Sequence, residues 1–397
     1  MAKSKNKVFV GMSGGVDSSV AAYLLKRQGC EVTGVYIRGY NVDGCAERDA
    51  LDARRAAEHL GIPFYVFDME REYKENVVDY MVSAYRDGIT PNPDVMCNKD
   101  IKFGLFLEKA LAAGADYIAT GHYVRLRRNS LSRTGRSFAP AAKAALRSRP
   151  QNSRIAGGPA FAASESFSRE NSGSLGLFEA KDKNKDQSYF LWTLTPEQLK
   201  YCLFPIGGYT KPEVREIARK AGLPTAEKKD SQGICFLGQV DLEDFLKQYL
   251  PEKPGEILTT EGDVVGQHEG IYFYTIGQRH LGVDLKVKNP DHKPYYVAGK
   301  DLKTNTLIVA EGDDNPALFK KEMNLRQVNT VERIMDNGES IVYARVRYRQ
   351  PLAKARLEKE GKDFKIVFDD PVKFVAPGQS AVFYSKKGEL LGGGVIA

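Results

Sequence analysis

The chain has 397 residues, 42% of them hydrophobic and 27% charged, with a formal net charge of +7. That length suits two or three domains with ordinary buried cores, and no apolar run reaches the ~18 residues of a membrane span. The charged start, Met1 to Lys7, leads into too short an apolar stretch for a signal peptide, so a cytoplasmic protein is expected.

The first element is the richest. Val8-Phe9-Val10 reads as a strand, and Ala21-Ala22-Tyr23-Leu24-Leu25 as a helix. Between them stand Gly11, Met12, Ser13, Gly14, Gly15, Val16, Asp17 and Ser18. Glycines without side chains let backbone N–H groups wrap an oxyanion, and the following helix adds its partial positive end. The loop lacks the Gly-Lys-Ser/Thr of a Walker A motif and the three spaced glycines of a dinucleotide fingerprint.

Alternating elements follow: a strand at Val32 to Ile37, a helix near Glu47 to Leu60, a strand at Phe64 to Phe67, helices at 73–86 and 101–113, and a strand at Tyr117 to Thr120. This order predicts an α/β fold with a doubly wound parallel sheet. Ligands bind such sheets beyond the carboxyl ends of the strands. The glycine loop, Ile37 and Thr120-Gly121-His122 all belong to that end.

Residues 129–178 carry seven Arg or Lys against Glu165 and Glu170, an excess of five that leaves about two for the rest of the chain. Rich in Ser, Ala, Arg and Pro and without a 2.0 or 3.6 period, the segment reads as a disordered insertion. The basic balance is therefore local and does not by itself imply a nucleic-acid partner. Thr210, with Pro212 and Glu213 behind it, opens a later helix. From about Pro251 the chain turns to frequent Gly and alternating β-branched and aromatic residues, the pattern of a small barrel.

The five cysteines (Cys30, Cys45, Cys97, Cys202, Cys235) contain no Cys-x-x-Cys pair, which argues against a disulfide framework or a zinc knuckle. Cys30, Cys45 and Cys202 read as buried and inert. Cys97 follows Asp94 by three residues in a loop bracketed by Pro91 and Pro93, and Cys235 follows Lys228 and Lys229, whose charge favours a thiolate. Both are expected in polar loops.

Together, Gly-Met-Ser-Gly-Gly-Val-Asp-Ser-Ser, Asn-Pro-Asp-x-x-Cys-Asn, Ala-Thr-Gly-His-Tyr, Asp-Lys-Asn-Lys-Asp-Gln-Ser-Tyr-Phe-Leu, Asp-Ser-Gln-Gly-Ile-Cys-Phe and Tyr-Thr-Ile-Gly-Gln-Arg resemble the bacterial tRNA-specific 2-thiouridylases of the ATP pyrophosphatase superfamily. The resemblance spans nearly the whole chain except 129–178. It implies an adenylation domain at 1–204, a small mixed tRNA-binding domain at 205–290 and a β-barrel at 291–397. It also implies 2-thiolation of a tRNA wobble uridine: the base is adenylated with ATP, then AMP is displaced by sulfur from a cysteine persulfide. Cys235 resembles the persulfide carrier and Cys97 the nucleophile, with Asp94 as acid or base beside them. A transient Cys97–Cys235 disulfide then requires two distant segments to approach. Free sulfide and direct persulfide attack both remain open.

By the same match, residues 11–18 bind the ATP phosphates, Ile37 and Gly121 contact the adenosine part, and Asp17 works near a Mg²⁺ held through phosphate. Asn92, Pro93 and Asp94 hold the target base with His122 nearby, and no permanently bound cofactor is implied. Lys185, Asp186 and Gln187, then Arg347, Tyr348 and Gln379, match tRNA-contacting positions. Arg345, Arg347 and Arg349 alternate and are expected to share one face of a strand as a cationic ridge. The implied partners are the tRNA anticodon arm and a sulfur-relay protein or cysteine desulfurase, with no membrane. Three alternatives stand beside this reading. A small-molecule synthetase of the same loop family lacks a visible glutaminase segment, an RNA-binding module has no use for Asp94, Cys97 and Cys235, and an iron–sulfur thiolase needs clustered cysteines.

Overall fold

The computed structural model describes residues 5–42, 44–128, 175–229, 237–238, 240–283, 285, 293–330, 339–361 and 363–397. Its amino-terminal layer is a parallel sheet in the order β3-β2-β1-β4-β7. The strands are β1 (Lys7–Gly11), β2 (Glu31–Arg38), β3 (Phe64–Asp68), β4 (Tyr117–Thr120) and β7 (Cys202–Leu203). Val8 and Val10 alternate inward and are fully buried, because a sheet with helices on both faces encloses both sets of side chains. Helices α1 (Val16–Arg27) and α2 (Cys45–Leu60) provide the first crossovers.

The next crossover holds two long helices, each interrupted by a wider segment with i→i+5 bonding. In α3 (70–86) that segment is Lys74–Val78. In α4 (93–112) it is Cys97–Leu105. A Cβ on Gly104 would press on the Lys99 carbonyl at 3.0 Å, so the widened turn suits a residue without a side chain. Because a crossover helix runs antiparallel to the strands it joins, α4 starts at the carboxyl end of the sheet. Phe106 then lies beside Gly11, and Phe103 stacks near His122 with ring centroids 5.8 Å apart.

The hairpin of β5 (Val124–Arg128) and β6 (Leu175–Glu179) follows β4. Residues 175–178, expected within the insertion, therefore belong to a strand, and 129–174 lie outside the described residues. After β7, α5 (Lys211–Lys220) returns to α1, with Val214 and Ala218 buried in the same core as Val16 and Val20. The first layer thus extends beyond the expected limit at 204.

A four-stranded sheet in the order β10-β11-β8-β9 comes next, formed by β8 (Gly255–Thr259), β9 (Val264–His268), β10 (Tyr295–Asp301) and β11 (Thr306–Glu311). The boundary expected at 290 cuts this sheet. An alternating pattern marks β10 and β11 as strands but does not say which sheet they join. The closed barrel β12-β15-β14-β13-β16-β17 begins only at Phe319. Its strands are β12 (Phe319–Thr330), β13 (Glu339–Arg345), β14 (Ala353–Glu360), β15 (Asp363–Lys373), β16 (Ser380–Tyr384) and β17 (Leu390–Ile396). Among the described residues no helix is long and apolar enough to cross a membrane.

The barrel is joined to the first layer by buried polar contacts. Tyr189 donates to the Ser380 carbonyl at 2.9 Å, Trp192 Nε1 to Ser380 Oγ at 3.0 Å, and Asn329 to the Trp192 carbonyl at 2.8 Å. Arg345 pairs with Glu179 and lies 3.5 Å from Asp186, all three being buried. Burial pushes the Asp186 carboxyl above its usual range, while the Ala180 N–H and Arg345 oppose the shift.

Replacing Arg345 by Met leaves two buried carboxylates facing each other, a defect of about 3–5 kcal/mol at neutral pH. The sign of its pH dependence is fixed. Without Arg345 the folded Asp186 holds its proton still more tightly than the unfolded chain, so folding gains stability as pH falls from neutral toward the unfolded value of about 4. Thermal unfolding of Arg345→Met against wild type at pH 7.5 and pH 5 should show the deficit shrinking at the lower pH.

Candidate active site

The sheet order reverses direction between β1 and β4, and the crevice at that switch point is the ligand position of such folds. Gly11 lies opposite Val35 of β2 and Thr120 of β4, so the loop after β1, the end of β2 and Gly121 after β4 are level. Met12 and Val16 turn their side chains into the core, leaving backbone to face the loop. Gly14 takes a φ of +75°, and a Cβ there would sit 2.3 Å from the Asp49 carbonyl oxygen. A Cβ on Gly121 would meet Ser18 N at 2.7 Å, so β4 and α1 touch backbone to backbone.

Gly15 is the N-cap of α1 and offers no side-chain cap. The first-turn N–H groups therefore face the loop without a cap acceptor, which fits an oxyanion. Asp17 is the acidic residue in that turn. Its carboxylate is chelated by Lys211, with Nζ at 2.8 Å from both oxygens, and accepts from the Tyr123 hydroxyl at 2.8 Å. Lys211 was not among the expected site residues. One sequence signal was present, a cation at the first position of a helix, where the macrodipole disfavours it. Tyr123 stood in the Ala-Thr-Gly-His-Tyr motif without a role.

At the start of α4, Asn92 caps the helix by accepting from Val95 N at 3.3 Å, and Pro93 occupies the first turn. Asp94 is partly exposed, whereas Asn92 and Pro93 are buried. Cys97 corrects the sequence reading: it is a helical, buried thiol outside any disulfide, 3% exposed, and not a loop residue. Neighbouring Asn98 donates to the Phe190 carbonyl at 3.3 Å, and its Oδ1 is a buried acceptor without a hydrogen-bond partner among the described residues. Cys202 is buried with its thiol pushed up by burial, as an inert cysteine should be, and burial also raises the Cys30 thiol. Nothing is described of the Cys45 side chain.

His122 is buried, with Nδ1 2.8 Å from Thr120 Oγ1. Burial and then the Lys102 charge hold its imidazole well below the usual histidine range, so it serves as a neutral hydrogen-bonding ring.

The expected RNA-contacting positions divide. Lys185 is partly exposed beside a cleft of about 470 Å³ shared with Asp182, Lys211 and Arg215. The Asp186 side chain faces inward, accepting from Ala180 N at 3.0 Å and Ser188 Oγ at 2.9 Å, and Gln187 Oε1 accepts from Tyr123 N at 2.9 Å. Gln379 donates to the carbonyls of Thr90 and Pro91 at 3.2 and 2.8 Å, holding the segment just before Asn92. The cationic ridge is absent. β13 ends at Arg345, which is buried, and Arg349 takes a φ of +64° in the turn that follows. Arg347 donates to the Ile276 carbonyl and lies over Phe374, while Tyr348 packs on Phe190 with centroids 4.6 Å apart.

Cys235 lies outside the described residues. The described chain stops at Lys229, and Lys228 is paired with Asp49 at 2.8 Å and Asp52 at 2.6 Å on α2. The thiolate-favouring role expected of Lys228 and Lys229 concerns Cys235 and so lies outside the described residues.

Family models match the chain in three consecutive parts: a tRNA methyl transferase HUP domain over residues 6–239, a tRNA methyl transferase PRC-barrel domain over 243–311, and an aminomethyltransferase beta-barrel domain over 320–396. The chain is also similar along its length to curated proteins described as tRNA-specific 2-thiouridylase MnmA. That of Streptococcus mutans is 41% identical over 99% of this chain and 95% of the relative. That of Pseudomonas aeruginosa strain UCBPP-PA14 is 42% identical over 99% and 94%, and that of Bacillus licheniformis 43% identical over 98% and 94%.

Since Gln379 fastens the segment before α4 with two hydrogen bonds, Gln379→Ala should raise local opening there by about tenfold for each ~1.4 kcal/mol lost. Alkylation of Cys97, followed by peptide mass analysis, should be slow in the native protein and correspondingly faster in the variant, with little change in global unfolding temperature. Equal rates would show that Gln379 does not restrain the segment.

Proposed function

The chain belongs to the tRNA-specific 2-thiouridylase family, and on that premise we propose that it replaces the C2 oxygen of the tRNA wobble uridine with sulfur at the expense of ATP. One observation carries the reading: α4, whose first turns hold Asp94 and Cys97, sets Phe103 near His122 and Phe106 beside Gly11, the last residue of β1 before the phosphate loop. A nucleotide phosphate site and a thiol at one crevice suit activation followed by sulfur transfer. The domain descriptions that speak of methyl transfer account for neither feature.

In this reading Gly11, Ser13, Gly14, Gly15 and Ser18, with the backbone of Met12 and Val16, cradle the phosphates, and Ile37 and Gly121 flank the adenosine. The uridine O2 attacks the α-phosphorus and pyrophosphate leaves. Mg²⁺ held through the phosphates would offset their charge, with Asp17 near it. Asn92, Pro93 and Asp94 position the base, and neutral His122 supplies a hydrogen bond instead of a proton. Asp94, partly exposed, is the acid or base in this reading.

Sulfur comes from a persulfide on Cys235, charged by a sulfur-relay protein or cysteine desulfurase. Its outer sulfur bonds to C2 as the C2–O bond to AMP breaks. The Cys97 thiolate attacks the inner sulfur, which cleaves the S–S bond and leaves a Cys97–Cys235 disulfide for an external dithiol to reduce. Release of sulfide before attack on C2 uses the same disulfide. Burial of Cys97 implies that bound tRNA opens the start of α4. Lys185 and the exposed edge of Tyr348 support RNA contact, the anticodon arm being the partner.

The reading is tested by incubating the protein with tRNA, ATP, Mg²⁺ and a persulfide donor and analysing nucleosides by mass. 2-Thiouridine should form with wild type. Cys235→Ser should lack protein-bound persulfide, whereas Cys97→Ser should load Cys235 yet fail over multiple turnovers, and both should still release pyrophosphate. Persulfide found on Cys97 or Cys202 instead would overturn the division of roles.

A further inference from the structure

The phosphate loop contains no lysine, yet Lys211 reaches it from the start of α5, 194 positions away along the chain. Its side chain is 11% exposed, and its Nζ bridges both Asp17 oxygens. The backbone is fixed as well: Lys211 N donates to Asp182 Oδ2 at 2.9 Å, and Thr210 and Glu213 form a capping box around it. A first-turn lysine works against the helix dipole, and its burial costs desolvation. The Asp17 pair offsets both, but an apolar residue packed on Tyr123 avoids them. The other side of Lys211 forms a wall of the cleft that it shares with Lys185 and Arg215.

We propose that Lys211 is the phosphate-contacting lysine of this site, exchanging Asp17 for β- or γ-phosphate oxygens when nucleotide binds. The proposal rests on the nucleotide reading above. The charges argue for an exchange. A phosphate chain seated on the α1 N-terminus lies against Asp17, an anion beside an anion, and the nearest cation is the ammonium already on that carboxylate. If metal then engages Asp17, the ammonium needs a new anionic partner within reach, and the phosphates supply it. Lys211 is therefore a binding residue whose partner changes with occupancy.

The test is the affinity of the full-length protein for α,β-methylene-ATP and for AMP at saturating Mg²⁺, measured by calorimetry without tRNA or turnover. Lys211→Met should weaken the triphosphate analogue by about tenfold or more and AMP by less than about twofold, since AMP lacks the outer phosphates. Lys211→Arg should restore most of the triphosphate affinity. Equal triphosphate affinity in Lys211→Met and wild type, or equal losses for triphosphate and AMP, would overturn the proposal. If Lys211→Met folds poorly because Asp17 is left alone, Asp17→Asn is compared with Asp17→Asn/Lys211→Met. The proposal requires the single variant to bind the triphosphate more tightly, and equal binding overturns it. Failure of wild type to bind the analogue at all contradicts the nucleotide reading itself, an outcome distinct from the others.

Discussion

The chelation of Asp17 by Lys211 and Tyr123 is the constraint on which the candidate site depends. It joins the first turn of α1, the segment after β4 and the start of α5, three parts of the chain with no local reason to meet. An exposed ion pair contributes little, but here the lysine is largely buried and both carboxylate oxygens are engaged. Gly121 makes the approach possible, because any Cβ there would collide with the α1 backbone. The loop is thereby fixed in shape before any ligand arrives.

A second set of contacts holds the barrel against the first layer, and several residues expected to touch RNA act there. Asp186 faces Arg345, and Gln379 fastens the Thr90–Pro91 backbone. Through Gln379 the barrel holds the segment from which α4 begins. Lys228 extends the logic to the segment after α5. Its pairing with Asp49 and Asp52 ties that segment to α2, whose Asp49 backbone presses on Gly14. The phosphate loop and the Lys228 segment thus share one helix.

Most of the parallel sheet is legible in the sequence because each strand is a short apolar run bounded by glycine or a helix cap, and the loop after β1 is legible because its glycines and serines have few other uses. The helical state of Cys97 is hidden by the prolines around it: Pro93, which reads as a loop marker, is a first-turn residue behind the Asn92 cap. Alternation of Arg345, Arg347 and Arg349 predicts a ridge only while the chain stays extended. A turn in which Val346 N donates to Gln350 Oε1 ends that extension. Lys211 escapes sequence reading because its meaning lies in a contact across 194 residues. The division into domains suffers similarly, since which sheet β10 joins is decided by packing and not by pattern.

The central claim is that uridine is activated by transfer of AMP to its C2 oxygen at this crevice. An anticodon stem-loop carrying ¹⁸O at C2 of the target uridine tests it directly, with the products of one turnover separated and weighed. The account predicts that the heavy oxygen leaves in the phosphate of AMP, in step with 2-thiouridine formation. Heavy oxygen recovered in inorganic phosphate beside ADP, or in water, would contradict adenylation and reassign the role of the loop.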